Sequence, residues 1–208
     1  MNRIITIVLL FLITTKINGQ INYLNPCVDF GKEIESIKVY DEDFNKIIRT
    51  ELNQDYLLRF IAQPSFDPEY VFQVEKETNT VYKLKAIMFQ ENLWYSDNRD
   101  SIEIDTYEKP INKELAIILD SLFKKATSSA MAKKGWIEGG LDGETYYFYR
   151  KSETGISCGE CWSPSKESAL FELVNICCLL IYDVMKETVD IDNHNLIDRI
   201  NKLYNKIE

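Results

Sequence analysis

Residues 81–89 alternate. Tyr82, Leu84, Ala86 and Met88 fall on one side of an extended chain, while Lys83 and Lys85 fall on the other. Strand side chains point to opposite faces in turn, so this spacing requires a sheet with one apolar and one wet face, the habit of antiparallel sheets. Just upstream, Tyr70, Phe72 and Val74 alternate with Gln73 and Glu75. Glu77-Thr78-Asn79-Thr80 between the two runs is a hairpin loop by composition. Residues 56–62 (YLLRFIA) add an apolar strand, followed by a turn bracketed by Pro64 and Pro68. Residues 93–95 and 102–107 are expected to add one more strand around the polar loop 96–101.

The period then changes. Leu115, Ile118, Leu119, Leu122, Phe123 and Ala126 recur every three or four residues, which predicts an amphipathic helix over 112–130. Asn112 is placed to cap it after Pro110, and the Gly-rich stretch 135–143 ends it. Residues 144–150 (ETYYFYR) read as an aromatic strand and 156–162 as a short return strand. Tyr146, Tyr147, Phe148 and Tyr149 are consecutive, so rings stand on both faces of that strand. Ser163-Pro164 has the form of a helix start, a capping serine with proline in the first turn. That helix should run to about Lys186 on Leu170, Leu173, Val174, Cys177, Leu180, Ile181 and Val184. A last helix from Asn193 carries Leu196, Ile197, Ile200, Leu203 and Tyr204. Residues 37–52 fit two readings: Phe44, Ile47, Ile48 and Leu52 have helical spacing, but Asp41-Glu42-Asp43 is turn-like. Strands followed by helices imply an α+β fold, a mainly antiparallel sheet covered on one face by two or three amphipathic helices.

Residues 1–19 read as an address. Arg3 gives a basic start, and Ile4–Ile13 is apolar except for Thr6. About 20 helical residues are needed to cross a bilayer, so the run is read as a secretory signal peptide cleaved before Gln20. A lipoprotein reading at Cys27 is disfavoured by Pro26 directly before it. No later stretch is apolar enough to span a membrane. The expected organisation is a signal peptide at 1–19, a lead-in at 20–36 and one domain at 37–208. Processing removes Arg3 and Lys16 and moves the formal charge from −9 to −11. Such an acidic surface repels phosphate, which argues against nucleic acid as a partner. The expected location is the periplasm or outside the cell.

Five cysteines and one histidine bound the chemistry. One histidine excludes a multi-histidine metal site, and no cofactor fingerprint is present. Cys158-Gly159-Glu160-Cys161 has the C-x-x-C spacing of thiol–disulfide proteins, where a helix N-terminus lowers a thiol pKa. Here the expected helix starts three residues beyond Cys161, no strand pattern follows it, and no proline follows Pro164. The favoured reading is a structural Cys158–Cys161 disulfide in an oxidising compartment, with Cys27 and Cys178 as candidates for a second staple. Cys177 lies on a buried helical stripe. Gly155-Ile156-Ser157-Cys158-Gly159 matches G-x-S-x-G, with Asp190, Asp192 and His194 downstream, but a polar turn replaces the buried parallel strand that a serine hydrolase requires. The oxygen-rich segment 190–195 lacks the glycine and closing glutamate of a calcium loop. Asp142-Gly143 reads as a turn or a ligand approach. Trp94, Tyr95, Trp136 and Trp162 are candidates for an aromatic binding patch or for core anchors, as are Tyr147 and Tyr149.

Several ordered blocks remain. They are Ser65-Phe66-Asp67-Pro68-Glu69-Tyr70, Asn92-Leu93-Trp94-Tyr95-Ser96 with Asn98-Arg99, Thr106-Tyr107, Pro110-Ile111 and Lys113-Glu114-Leu115-Ala116. Further on come Gly140-Leu141-Asp142-Gly143, Tyr146-Tyr147-Phe148 and Trp162-Ser163-Pro164. Together they resemble a family of small exported bacterial proteins of unknown function, over roughly residues 64–175. The resemblance implies no catalytic residue, and the cysteines are not part of it. The expected function is a non-enzymatic binding or interaction module of the cell envelope. Binding candidates are Trp94, Tyr95, Arg99, Trp136, Asp142, Tyr147, Tyr149 and Trp162. The partner is an envelope protein or ligand, favoured to be basic by the acidic charge. Redox chemistry at Cys158 and Cys161 is the alternative, and hydrolysis by Ser157 a weaker one.

Overall fold

The computed structural model describes residues 23–27, 34–131, 142–186 and 193–207. The segments 1–22, 28–33, 132–141 and 187–192 and Glu208, with Trp136, Asp190 and Asp192, lie outside the described residues, as does the His194 side chain. The alternating runs form one antiparallel sheet. Its strands are β1 (Asn25–Pro26), β2 (Leu58–Pro64), β3 (Tyr70–Lys76), β4 (Tyr82–Phe89), β5 (Ile104–Ile111), β6 (Glu144–Ser152) and β7 (Gly155–Trp162). They lie in the order β1-β7-β6-β2-β3-β4-β5. The hairpin between β3 and β4 is closed where expected, with Glu77 N–H donating to the Val81 carbonyl. Residues 93–95 are loop, and β5 begins at Ile104. As an edge strand β5 tolerates Pro110, which cannot donate to a ladder.

Among the described residues four α-helices flank the sheet: α1 (Glu35–Glu51), α2 (Lys113–Ser128), α3 (Ala169–Met185) and α4 (Asn193–Tyr204). Helices α2, α3 and α4 share one core with Phe60, Phe72 and Phe148, into which Phe123 of α2 inserts. Asn112 caps α2 by accepting from Leu115 N–H at 2.7 Å. The stripe read for α3 is buried throughout. In α4, Tyr204 departs from its predicted stripe and lies at the surface under the Lys125 ammonium.

Helix α1 settles the ambiguity of residues 37–52 and extends the one-face expectation. Tyr40, Phe44, Ile48 and Leu52, four residues apart, are buried against Ile61, Val71, Ile87 and Phe89 on the opposite sheet face. The sheet therefore carries helices on both faces. Tyr146 and Phe148 enter the α2–α4 core, while Tyr147 and Tyr149 stack at 6.4 Å beside the α1 core. Beyond the C-terminal end of α1, a polar network replaces hydrocarbon. Arg59 donates to Gln73 Oε1 and the Asn53 carbonyl, lies over the Tyr56 ring, and Gln73 passes a hydrogen bond to Glu75. Each of these buried polar groups thus has a partner, which is the condition for burying them without a large penalty.

Two expectations about the C-terminal third are corrected. The third helix is capped by Ser168, whose Oγ accepts from Phe171 N–H at 3.1 Å, not by Ser163. Strand β7 runs on to Trp162, and Ser163 ends it with a φ of +37° while bonding both main-chain groups of Glu144. The cysteine pairing also differs. Cys158 and Cys161 lie three residues apart on one strand, so they face opposite sides of the sheet and cannot bond each other. Register supplies the true pair: Asn25 faces Glu160 and Pro26 faces Gly159, so Cys27 comes opposite Cys158. These two form the disulfide, with Cα atoms 5.6 Å apart. Cys161, Cys177 and Cys178 remain thiols.

Candidate functional site

Antiparallel pairing brings one end of β2, β3, β4, β5, β6 and β7 to the same edge of the sheet. Pro64 faces Glu144, Ala62 faces Tyr70, Phe89 faces Ile104, and Thr145 faces Trp162. The segments 65–69, 90–103, 142–143 and 163–168 therefore gather at this end. They carry, wholly or in part, four of the eight blocks singled out in the sequence: those around Phe66, Trp94, Gly143 and Ser163.

Buried side chains brace these loops. Asn92 donates to the Asp67 carbonyl at 2.7 Å and to the Pro64 carbonyl, while its Oδ1 accepts from Trp94 and Tyr95 N–H. Glu69 is buried; its carboxylate accepts from Leu93 N–H at 2.9 Å and from the Tyr40 hydroxyl of α1 at 2.8 Å. Burial pushes the Glu69 carboxyl above its ordinary range, opposed by the hydrogen bonds from Leu93 and Tyr40. Arg99 donates to the Leu93 and Trp94 carbonyls and pairs with Asp43 of α1. Ser65 and Gly143 exchange hydrogen bonds, N–H to carbonyl at 2.8 Å and N–H to Oγ at 3.1 Å. Gly143 is obligatory for space: a Cβ there would stand 2.4 Å from the Trp162 ring.

On this braced frame three large rings face solvent. Phe66 is 62% exposed, Tyr95 58% and Trp94 40%. Phe66 and Tyr95 are parallel within 5°, their centroids 6.3 Å apart, and Trp94 meets Tyr40 edge-on at 5.4 Å. Adjacent exposed rings on fixed loops are the arrangement of a contact surface, since scattered single apolar residues carry no such meaning.

No known family model, curated protein or solved structure matches the chain.

Of the residues proposed from sequence, Trp94, Tyr95, Arg99, Asp142 and Trp162 are brought to this end. Arg99 and Trp162 serve as braces and Asp142 is exposed. Tyr147 and Tyr149 lie on the sheet face beside α1, half-buried, with both phenols shifted up by burial, Tyr149 to about 12. Phe66 was missed, because its block reads only as a turn. Cys178 lies 3.6 Å from the Tyr70 hydroxyl, and burial raises its thiol and that of Cys177. Raised thiols are poor nucleophiles, and neither belongs to the C-x-x-C pair, whose Cys158 is bonded to Cys27. Ser157 sits in mid-strand, its hydroxyl 2.9 Å from Thr127 Oγ, with no strand-to-helix elbow beneath it. Among the described residues no group of His, Cys, Asp and Glu is placed to hold a metal ion. A groove between α1 and residues 99–104 encloses about 210 Å³. Small-molecule pockets usually take ~300–1,000 Å³.

Proposed function

We propose that the chain is an exported, non-enzymatic binding module whose contact surface is the loop end bearing Phe66, Trp94 and Tyr95. The observation that carries this reading is the exposed Phe66–Tyr95 pair on backbone pinned by Asn92 and Glu69. Exposed aromatic area is a store of binding free energy, and a pre-ordered loop lowers the entropic cost of using it. A Cys27–Cys158 disulfide supports the export half of the proposal, since such bonds persist in oxidising compartments. So does the apolar segment after Arg3.

The test is a pull-down from envelope extract with residues 20–208 as bait. A stoichiometric partner should be retained by the wild type and lost from a Phe66→Ser, Tyr95→Ser variant with an unchanged unfolding midpoint. Retention by that variant would move the contact surface elsewhere. Absence of any partner at every ionic strength would count against a binding role. N-terminal sequencing of the exported protein should begin at Gln20.

A further inference from the structure

We infer that the Phe66–Trp94–Tyr95 surface receives a basic polypeptide segment, with lysine or arginine side chains laid against the rings. This deepens the binding reading above and rests on it.

Charge surrounding the rings selects the occupant. The segments 65–69, 90–103, 142–144 and 163–168 contain nine acidic residues, of which Glu69 is buried, against two cations, Arg99 and Lys166. Arg99 is paired with Asp43, and Lys46 of α1 pairs with Asp100. Asp67, adjoining Phe66 in the chain, is exposed, as are Glu91, Asp97 and Asp142. Burial holds the carboxyl of Glu144, the first residue of β6, above its ordinary range, and the negative charge of Asp67 adds to that. Phe66 adjoins Asp67 in the chain, so a cation drawn to this exposed carboxylate meets an aromatic ring in the same turn. Rings attract cations through their negative faces, and carboxylates within a Debye length of about 8 Å add to that attraction. An anionic ligand meets the same field as a barrier. A neutral glycan gains nothing from it. A flexible basic segment gains on both counts, because its long side chains offer an apolar stem to the rings and a charged head to the acids.

The processed protein, residues 20–208, is titrated by calorimetry with soluble oligolysine and oligoarginine, with oligoglutamate, and with a neutral glucan oligosaccharide. The basic peptides should bind, and affinity should fall about tenfold or more on raising salt from low concentration to about 0.3 M. Phe66→Ser with Tyr95→Ser should weaken binding about tenfold, as loss of two ring contacts implies. Asp67→Asn with Asp97→Asn should reduce the salt dependence while leaving the rings in place. Hydrogen exchange of the Leu93, Trp94 and Tyr95 amides verifies that each variant keeps its loop. Equal binding of the glucan or of oligoglutamate would overturn the inference. So would oligolysine binding that ignores the ring variant, because charge alone would then account for it. An envelope partner retained through the rings at high salt, with no oligolysine binding, would defeat this inference and leave the binding role standing. Ring-dependent oligolysine binding supports this inference together with the binding role on which it rests.

Discussion

Asn92 joins two loops with one side chain. Its amide serves four main-chain groups, two on the 64–67 turn and two on the 94–95 turn. Asn92→Ala would leave those groups without their partner in a half-dry setting, at a cost of about 2–3 kcal/mol measurable by urea unfolding. Glu69 has a different signature. Its folded pKa is raised, so the folded state binds more protons than the unfolded state in the window from the ordinary glutamate value up to the raised one. Stability conferred by the protonated carboxyl is complete below that window and is lost as pH rises through it. Glu69→Gln should therefore compare more favourably with wild type at pH 7 than at pH 4, in paired denaturation curves. Trp94 and Tyr95 were legible as candidates because large aromatics beside polar residues are conspicuous. Asn92 and Glu69 were not legible in these roles. A polar residue shows burial only once another part of the chain, here α1 and the 64–67 turn, is folded over it.

Strand β7 shows how a motif can mislead. In Cys158-Gly159-Glu160-Cys161 the C-x-x-C spacing suggests a local disulfide, but in a strand it splits the cysteines between faces. The glycine has a packing role: a Cβ on Gly159 would come 2.7 Å from the buried Leu24 side chain, which occupies that space. Cys27→Ser should lower stability by ~2–5 kcal/mol, the range for bridges closing long loops, whereas Cys161→Ser should leave the Cys27–Cys158 bridge intact in a peptide map. The start of α3 is tested by its cap. Ser168→Ala should cost about 1 kcal/mol in the urea midpoint and speed hydrogen exchange of the Phe171 amide, whereas Ser163→Ala should lose its bond from Glu144 N–H and leave Phe171 exchange unchanged. Helix interiors were legible because their stripes are long; α3 is buried along every residue of its predicted face. Its N-terminus was not, because Ser163-Pro164 and Ser168 offer comparable local chemistry. Pairing of β7 with β6 decides between them.

At the scale of the molecule, the switch from two-residue to helical period was enough to establish an α+β fold. The second covered face was harder to read, since α1 places acidic residues between its apolar ones. Strand order was not legible at all: local patterns do not reveal that β6, rather than β1, lies beside β2. That placement has a consequence for how the chain comes into being. Emerging from the N-terminus, β2 through β5 and α2 are complete by Ser128, yet β2 then presents an open, apolar edge. Its partner begins at Glu144, with Leu58 finally meeting Arg150. A chain ended at Ser129 is expected to aggregate or stay unfolded, visible as a lost cooperative melt in circular dichroism. The intact chain faces the same hazard for the time it takes to synthesise its last third. Its early strands must stay guarded, by a chaperone or by delay, until β6 arrives to close the open side of β2.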